Sequence, residues 1–416
     1  MRTLSLLLAG TWCGCAAPGV VDDPNQFSVV VIPDSQIYAN NYPEVLDRHL
    51  QWIVDHAEAL DIRFVTHVGD IVDDGADPRQ WDNAARAFAP LLEADIPHGF
   101  SVAAHDYGTW GQWPEGTDSS CMPDPENGLP RVDCDFTAFR ERFGPQIYEG
   151  RPWYAGASPS GRSSYQLVEA EGLSLLFLHL PEDAPEPEVA WAEGVLAEHP
   201  DTLAHLTTHR LIFDYRLTDV MPSPLDLFVA GRFNALTYQI GDQGLRFTDG
   251  TTAESLHQRL VVAQPNVWGV HCGHVDGEFR LSETNARGLP AYEMLTDFQD
   301  MADGGGGLLR VLTFDINLET VSVTTVSTET SRERENGEGF EHSMDILEAY
   351  KATAYDALAG LGFDTAVYDA LFEEFAVEGS ELREQYRASL YEGGQRDSEF
   401  VLEVPFPDYV AASGPQ

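Results

Sequence analysis

Short apolar runs alternate along this chain with segments whose apolar residues recur every three or four positions. "FSVVVIPDSQ" (27–36) reads as a buried strand that runs out into a polar loop. In "PEVLDRHLQWIVDHAEAL" (43–60), Leu46, Leu50, Ile53, Val54, Ala57 and Leu60 fall on one helical face. "IRFVTHVGD" (62–70) predicts the next strand, "DPRQWDNAARAFAPLLEA" (77–94) a second amphipathic helix, and "GFSVAAHD" (99–106) a third strand. Strand, helix, strand, helix, strand is the signature of a parallel sheet with crossover helices.

Residues 108–160 read as a loop-rich insertion. Beyond it, "SSYQLVEAEGLSLLFLHL" (163–180) predicts a hairpin turning at Glu171–Gly172, and "EVAWAEGVLAEHP" (188–200) a helix. "TLAHLTTHR" (202–210) and "NVWGVHCGHVDG" (266–277) read as two further buried strands with polar ends. "GLLRVLTFDINLETVSVTTVST" (307–328) reads as a closing hairpin, and the charged "SRERENGEGFEH" (331–342) as a linker. Residues 345–391 are helical in period, with Gly breaks, which predicts a helical C-terminal extension over 343–416.

With 416 residues of which 43% are hydrophobic, the chain can bury a sizeable core. Its 68 Asp+Glu outweigh 24 Lys+Arg, for a formal net charge of -44. That field repels phosphate backbones and anionic lipid head groups, so nucleic-acid binding by a broad basic surface is excluded. "MRTLSLLLAGTWCGCAAPG" (1–19) joins an early Arg, a short apolar run and small residues, the shape of an export signal over residues 1–18. Two processing modes fit it: lipoprotein cleavage that leaves a lipidated Cys15 as a membrane tether, or ordinary cleavage near Ala16–Ala17. The expected location is periplasmic, outer-membrane-anchored or extracellular. In such a compartment a disulfide between Cys121 and Cys134 would close a Pro/Gly/Asp-rich loop, while Cys272 reads as a buried thiol.

Five predicted strands end in residues able to hold a metal or move a proton. They bring Asp34 and Gln36, then Asp70, then His105 and Asp106, then His209, then His274 and Asp276. In an open α/β sheet the carboxyl ends of strands share one rim, so these residues should converge. Singly, each has a structural explanation as a turn or a cap. His67 and His271, an odd number of residues before Asp70 and His274, read as buried structural histidines. Arg280 and Arg310 read as surface or interlayer residues rather than phosphate ligands.

The ordered set "PDSQ", "GD" at Gly69–Asp70, "AAHD", "TH" at Thr208–His209 and "GHVD" resembles the calcineurin-like metallophosphoesterase superfamily, over residues 27–330. "EMLTDFQDMADGGGGLLRVLTFD" resembles a segment of its secreted bacterial members. The resemblance implies a four-layer α/β/β/α sandwich with two facing sheets. It implies one or two divalent metal ions (Mn, Fe, Zn or Mg), with Asp70 bridging two sites. Asp34, Gln36 and Asp276 would complete a first, all-oxygen site suited to a hard cation. His209 and His274 would complete a second, where Ala104 stands in place of the family's asparagine ligand. His105 would serve the leaving group, with Asp106 orienting it. The reaction implied is hydrolysis of a phosphomonoester or phosphodiester by a metal-activated hydroxide. The alternative is a decayed phosphoesterase fold acting as a binding or structural protein.

Overall fold

The first strand, Gln26–Ile32, is buried along almost its whole length and is apolar on both faces. Phe27, Val29 and Val31 enter one core while Val30 and Ile32 enter another. Side chains alternate across a strand, so this pattern makes it the shared wall of two hydrophobic layers. The computed structural model describes residues 21, 23–108, 136–214, 230–232, 250–275, 277–299, 301–330, 332–333, 377, 380 and 398–410.

In chain order the described strands are β1 (Gln26–Ile32), β2 (Ile62–His67), β3 (His98–Phe100), β4 (Tyr154–Ala157), β5 (Ser164–Ala170), β6 (Leu173–His179), β7 (Leu203–Thr207), β8 (Ile212–Asp214), β9 (Ala230–Arg232), β10 (Val267–Cys272), β11 (Gly277–Thr284), β12 (Pro290–Asp297), β13 (Leu308–Asp315), β14 (Thr320–Ser327), β15 (Arg332–Glu333) and β16 (Glu399–Glu403). The helices are α1 (Gln36–Asn41), α2 (Pro43–His56), α3 (Pro78–Glu93), α4 (Thr137–Phe143), α5 (Glu186–Glu198), α6 (Ala253–Leu256), which runs on into a π-helical turn at His257–Val262, and α7 (Phe406–Val410).

One sheet has the order β15-β14-β13-β1-β2-β3, with β16 also on β14, and the other β11-β12-β10-β7-β6-β5-β4. β1, β2 and β3 are mutually parallel, as are β6, β7, β10 and β12. Helices α2 and α3 cover the outer face of the first sheet with Leu46, Leu50, Ile53, Trp81, Phe88 and Leu91. Asp77 caps α3, its side chain accepting from the Arg79 N–H. Helices α5 and α6 cover the second sheet with Val189, Ala192, Leu196 and Leu256. In the layer between the sheets Phe64 of β2 stacks on Phe177 of β6 in the facing sheet, and Phe27 stacks on Phe314 of the neighbouring strand β13. Each buried aromatic there contributes about 1.5–3 kcal/mol. The layers are therefore α/β/β/α, as the resemblance implies.

Two expectations differ from what is observed, and one hairpin is unexpected. "GFSVAAHD" is a strand only over His98–Phe100, with a 3-10 turn at Ala104–Asp106. The chain leaves β2 there because the Val102 carbonyl accepts from Glu182 N–H of the second sheet, 2.7 Å away. The polar-faced hairpin β11–β12 is not predicted by the hydrophobic pattern. The C-terminal stretch is not helical to its end: β16 pairs antiparallel with β14 and closes that side of the first sheet. The rest of 343–397 lies outside the described residues apart from Val377 and Ser380, as do Cys15, Cys121 and Cys134.

Arg310 takes the interlayer role expected of it. Fully buried on β13, it donates to Glu278 Oε1 of β11 at 3.0 Å. Arg280 stacks on Phe400, its guanidinium carbon 4.2 Å from the ring centre.

Candidate metal centre

All the parallel strands direct their carboxyl ends to one rim, and the side chains there converge from both sheets. The loop after β1 carries Asp34 and that after β2 carries Asp70, both buried. From the second sheet, His209 follows β7 and His274 follows β10. His209 Nε2 lies 3.0 Å from Asp70 Oδ2, and its Nδ1 lies 3.8 Å from Asp34 Oδ1. The rings of His209 and His274 are 5.1 Å apart. Asp70, His209 and His274 each offer a ligand atom within 4.8 Å of the others. Asp276 lies outside the described residues.

The backbone is bent to achieve this. Asp70 (φ 48) and His274 (φ 74) occupy the left-handed region, and the turns before them use glycine. A Cβ at Gly273 would fall 2.0 Å from Asp34 Oδ1, and one at Gly69 2.9 Å from His209 Nδ1. Such non-glycine strain persists where surrounding contacts over-determine it, and it concentrates at functional sites.

Hydrogen bonds fix which atoms face the centre. Asp34 Oδ2 accepts from the His274 N–H at 3.1 Å, and Asp70 Oδ1 from the His105 N–H at 3.0 Å. His209 Nδ1 donates to the Val68 carbonyl at 3.2 Å, which makes Nε2 the ligand nitrogen. Nε2 faces Asp70 without the geometry of a hydrogen bond, a placement suited to two ligands of one cation. Burial alone would depress the His209 imidazolium, but the Asp70 carboxylate overrides it and raises the group to about 9. Asp70 is itself held well below the usual carboxylate range, with His209 and then His105 overcoming its burial.

His67 is buried, as expected, and also joins the two acidic loops. Its Nδ1 accepts from the Gly69 N–H at 3.1 Å, so Nε2 carries the proton and donates to Ser35 Oγ at 2.9 Å. Ser35 in turn donates to the Ile71 carbonyl. His271 is buried against His205, with nitrogens 3.0 Å apart.

The expected pairing of Asp106 with His105 is corrected. The Asp106 carboxylate accepts three backbone N–H groups, from Ile71, Val72 and Ala103, and so staples the loop after Asp70. Burial and then the nearby Asp70 push it up to about 7. His105 is instead oriented by Asp73: its Nδ1 lies 2.7 Å from the Asp73 carbonyl and 3.7 Å from Oδ1. The Gly-Asp-x-x-Asp spacing of Asp70 and Asp73 is the available signal in the sequence.

At Ala104, the position without an asparagine, the backbone N–H donates to Glu182 Oε2 at 2.9 Å. Glu182 and Asp183 follow β6, a parallel strand whose acidic end the five predicted strand endings do not include. Both carboxylates engage the fully buried Arg210, which directly follows His209. The charge of Arg210 is thereby held inside the rim.

The donors present fit a divalent cation. Carboxylates from Asp34 and Asp70 and imidazoles from His209 and His274 suit iron, manganese or zinc. Gln36, from the first turn of α1, presents a buried Oε1 that has no hydrogen-bond partner among the described residues.

No family model matches the chain. The uncharacterized protein YvnB of Bacillus subtilis is 29% identical over 309 residues, covering 73% of this chain. The chain spans only about a fifth of that relative's length, 20%. Among solved structures, the yellow lupin purple acid phosphatase PPD1 aligns with 74% of this chain and 53% of its own, at 11% identity and a TM-score of 0.41. A dimetal phosphatase from Danio rerio aligns with 74% of this chain and 97% of its own, at 11% identity and a TM-score of 0.42. GAP50, the anchor in the inner membrane complex of Plasmodium, aligns with 78% and 94% at 10% identity and a TM-score of 0.39. None of these bears on activity.

Proposed function

We propose that this chain is a divalent-metal-dependent phosphoesterase. The observation that carries the reading is the convergence of Asp70, His209 and His274 on one point, with the His105 backbone fixed on the Asp70 carboxylate. Asp34, Gln36, Asp70, His209 and His274 would hold the metal, with Asp276 as a further ligand. When bound, divalent cations supply positive charge to phosphoryl oxygens and acidify the attacking water.

The chain's own groups divide the remaining work. Asp70 and Asp34 offset the cationic charge. Asp73 accepts from His105 Nδ1–H, which makes Nε2 the nitrogen that delivers a proton to the leaving oxygen. Asp106 holds residues 71, 72 and 103 together, and so fixes the distance between Asp70 and His105. Loss of an asparagine at Ala104 removes one neutral ligand, and three protein ligands plus water form an ordinary catalytic arrangement.

Hydrolysis of aryl phosphate mono- and diesters, measured during a Mn²⁺ titration with His274→Ala as the blank, tests the reading. Turnover above the blank is expected, and the ratio of the two substrates names the ester class. Equal rates for wild type and blank would assign the fold to a binding role. The same proposal places the protein outside the cytoplasm, tethered through Cys15. Palmitate labelling of the wild type but not of Cys15→Ser tests that part.

A further inference from the structure

The strand β12 runs parallel to β10, so its end reaches the same rim as His274. That end is Asp297, fully buried, followed two residues later by Gln299. Both donors of the Gln299 residue face one carboxylate. Its backbone N–H donates to Asp297 Oδ1 at 3.1 Å and its side-chain Nε2 to Asp297 Oδ2 at 3.2 Å. A carboxylate accepts and does not donate, so the nitrogen of this amide must face Asp297 and its oxygen must face away.

The oxygen of Gln299 accepts a hydrogen bond from Gln36 Nε2. The orientation of the second amide follows from the first. With its nitrogen committed to Gln299, Gln36 must turn its carbonyl oxygen the other way, where it is buried and has no hydrogen-bond partner among the described residues. Gln36 opens α1 two residues after Asp34, directly after Ser35, whose N–H is bonded to the Asp70 carbonyl at 3.2 Å.

We infer that Asp297 and Gln299 are positioning residues that make the Gln36 carbonyl oxygen a metal ligand. The relay runs from a buried carboxylate through two amides, and it removes the freedom of either amide to flip. It explains how glutamine serves at a position where the resemblance places a histidine. This inference rests on the metal-dependent reading above.

The test is calorimetric titration of Mn²⁺ into the metal-stripped full chain, with thermal melting of the same stripped samples. Gln36→Met and Gln299→Met are expected to weaken Mn²⁺ binding about 10–100-fold, the usual cost of losing a ligand's support. The double variant should bind no more weakly than Gln36→Met, because Gln299 acts only through Gln36. The isosteric Asp297→Asn frees Gln299 to present either end and should also weaken binding. Melting of the stripped variants reads the cost of the orphaned polar groups separately, and a purely structural role would lower it and leave affinity intact. Unchanged affinity in Gln299→Met or additive losses in the double variant would overturn the inference alone. Mn²⁺ binding that His274→Ala does not impair would overturn the metal-centre reading and this inference with it.

Discussion

Gly273 and Asp34 approach so closely that a methyl group on Gly273 would stand 2.0 Å from Asp34 Oδ1. The two residues belong to different sheets, and the bare glycine lets the carboxylate cross the gap to accept from the His274 N–H. Gly273→Ala should therefore push Asp34 out of the centre and weaken metal binding at least about 10–100-fold. Gly194 supplies the contrast. It lies in α5, where an added Cβ would meet nothing within 4 Å, and Gly194→Ala should stabilise by about 0.5–1 kcal/mol without touching metal affinity. Calorimetry and urea unfolding of the two variants separate these outcomes.

Ser35 and His67 bind the loops after β1 and β2 into one unit. Ser35→Ala leaves the buried His67 Nε2–H without its acceptor, which should cost about 1–3 kcal/mol in urea unfolding. The same change should loosen Asp34 relative to Asp70 and weaken Mn²⁺ binding. Stability loss with unaltered affinity would mean that the bridge supports the core and not the site.

Metal and proton compete for His209. With its imidazole raised to about 9, His209 carries a proton near neutrality that an incoming cation must displace. Affinity should therefore climb as pH rises, by about tenfold per unit for one displaced proton, and level off above about 9. Titrations in buffers of different ionisation enthalpy count the proton directly. A pH-independent affinity would remove His209 Nε2 from the ligand set.

Several buried histidines resist protonation in the fold. Burial depresses His49 to about 3 and His98 to about 4, and lowers His179, His205 and His271 as well. In each, the folded value lies below the unfolded one, so the stabilisation is present above about pH 6.5 and is lost as pH falls toward 4. Stability should fall in that window by about 1.4 kcal/mol per pH unit for each histidine that the unfolded chain protonates and the folded one does not. Denaturant midpoints at pH 7.5, 6.5, 5.5 and 4.5 measure it. A flat profile down to pH 5 would contradict the placement of these rings.

Legibility of the rim in the sequence follows strand character. β1, β2, β7 and β10 are short runs of branched and aromatic residues bounded by Asp, Gly or His, so the period marks both the strand and the residue at its end. Asp34, Asp70, His209 and His274 are readable for that reason. β12 mixes Pro290, Tyr292 and Glu293 into its run, because Glu293 bonds His257 and Arg232 on the helical side. Its period is blurred, and with it the role of Asp297. Adjacency in sequence suggests a pairing of Asp106 with His105 that the fold does not make. The 3-10 turn at Ala104–Asp106 turns the carboxylate of Asp106 back onto the loop and leaves His105 to Asp73. Turn geometry of that kind depends on contacts with Glu182 and Asp70, which lie 78 and 35 residues away along the chain.

The most direct test of the central claim is an anomalous difference map from a crystal of the full chain grown with Mn²⁺. A strong peak within coordination distance of Asp70, His209 Nε2 and the His274 imidazole is the predicted result. A crystal saturated with Mn²⁺ that shows no peak between these three residues would contradict the metal centre, and with it the proposed phosphoesterase.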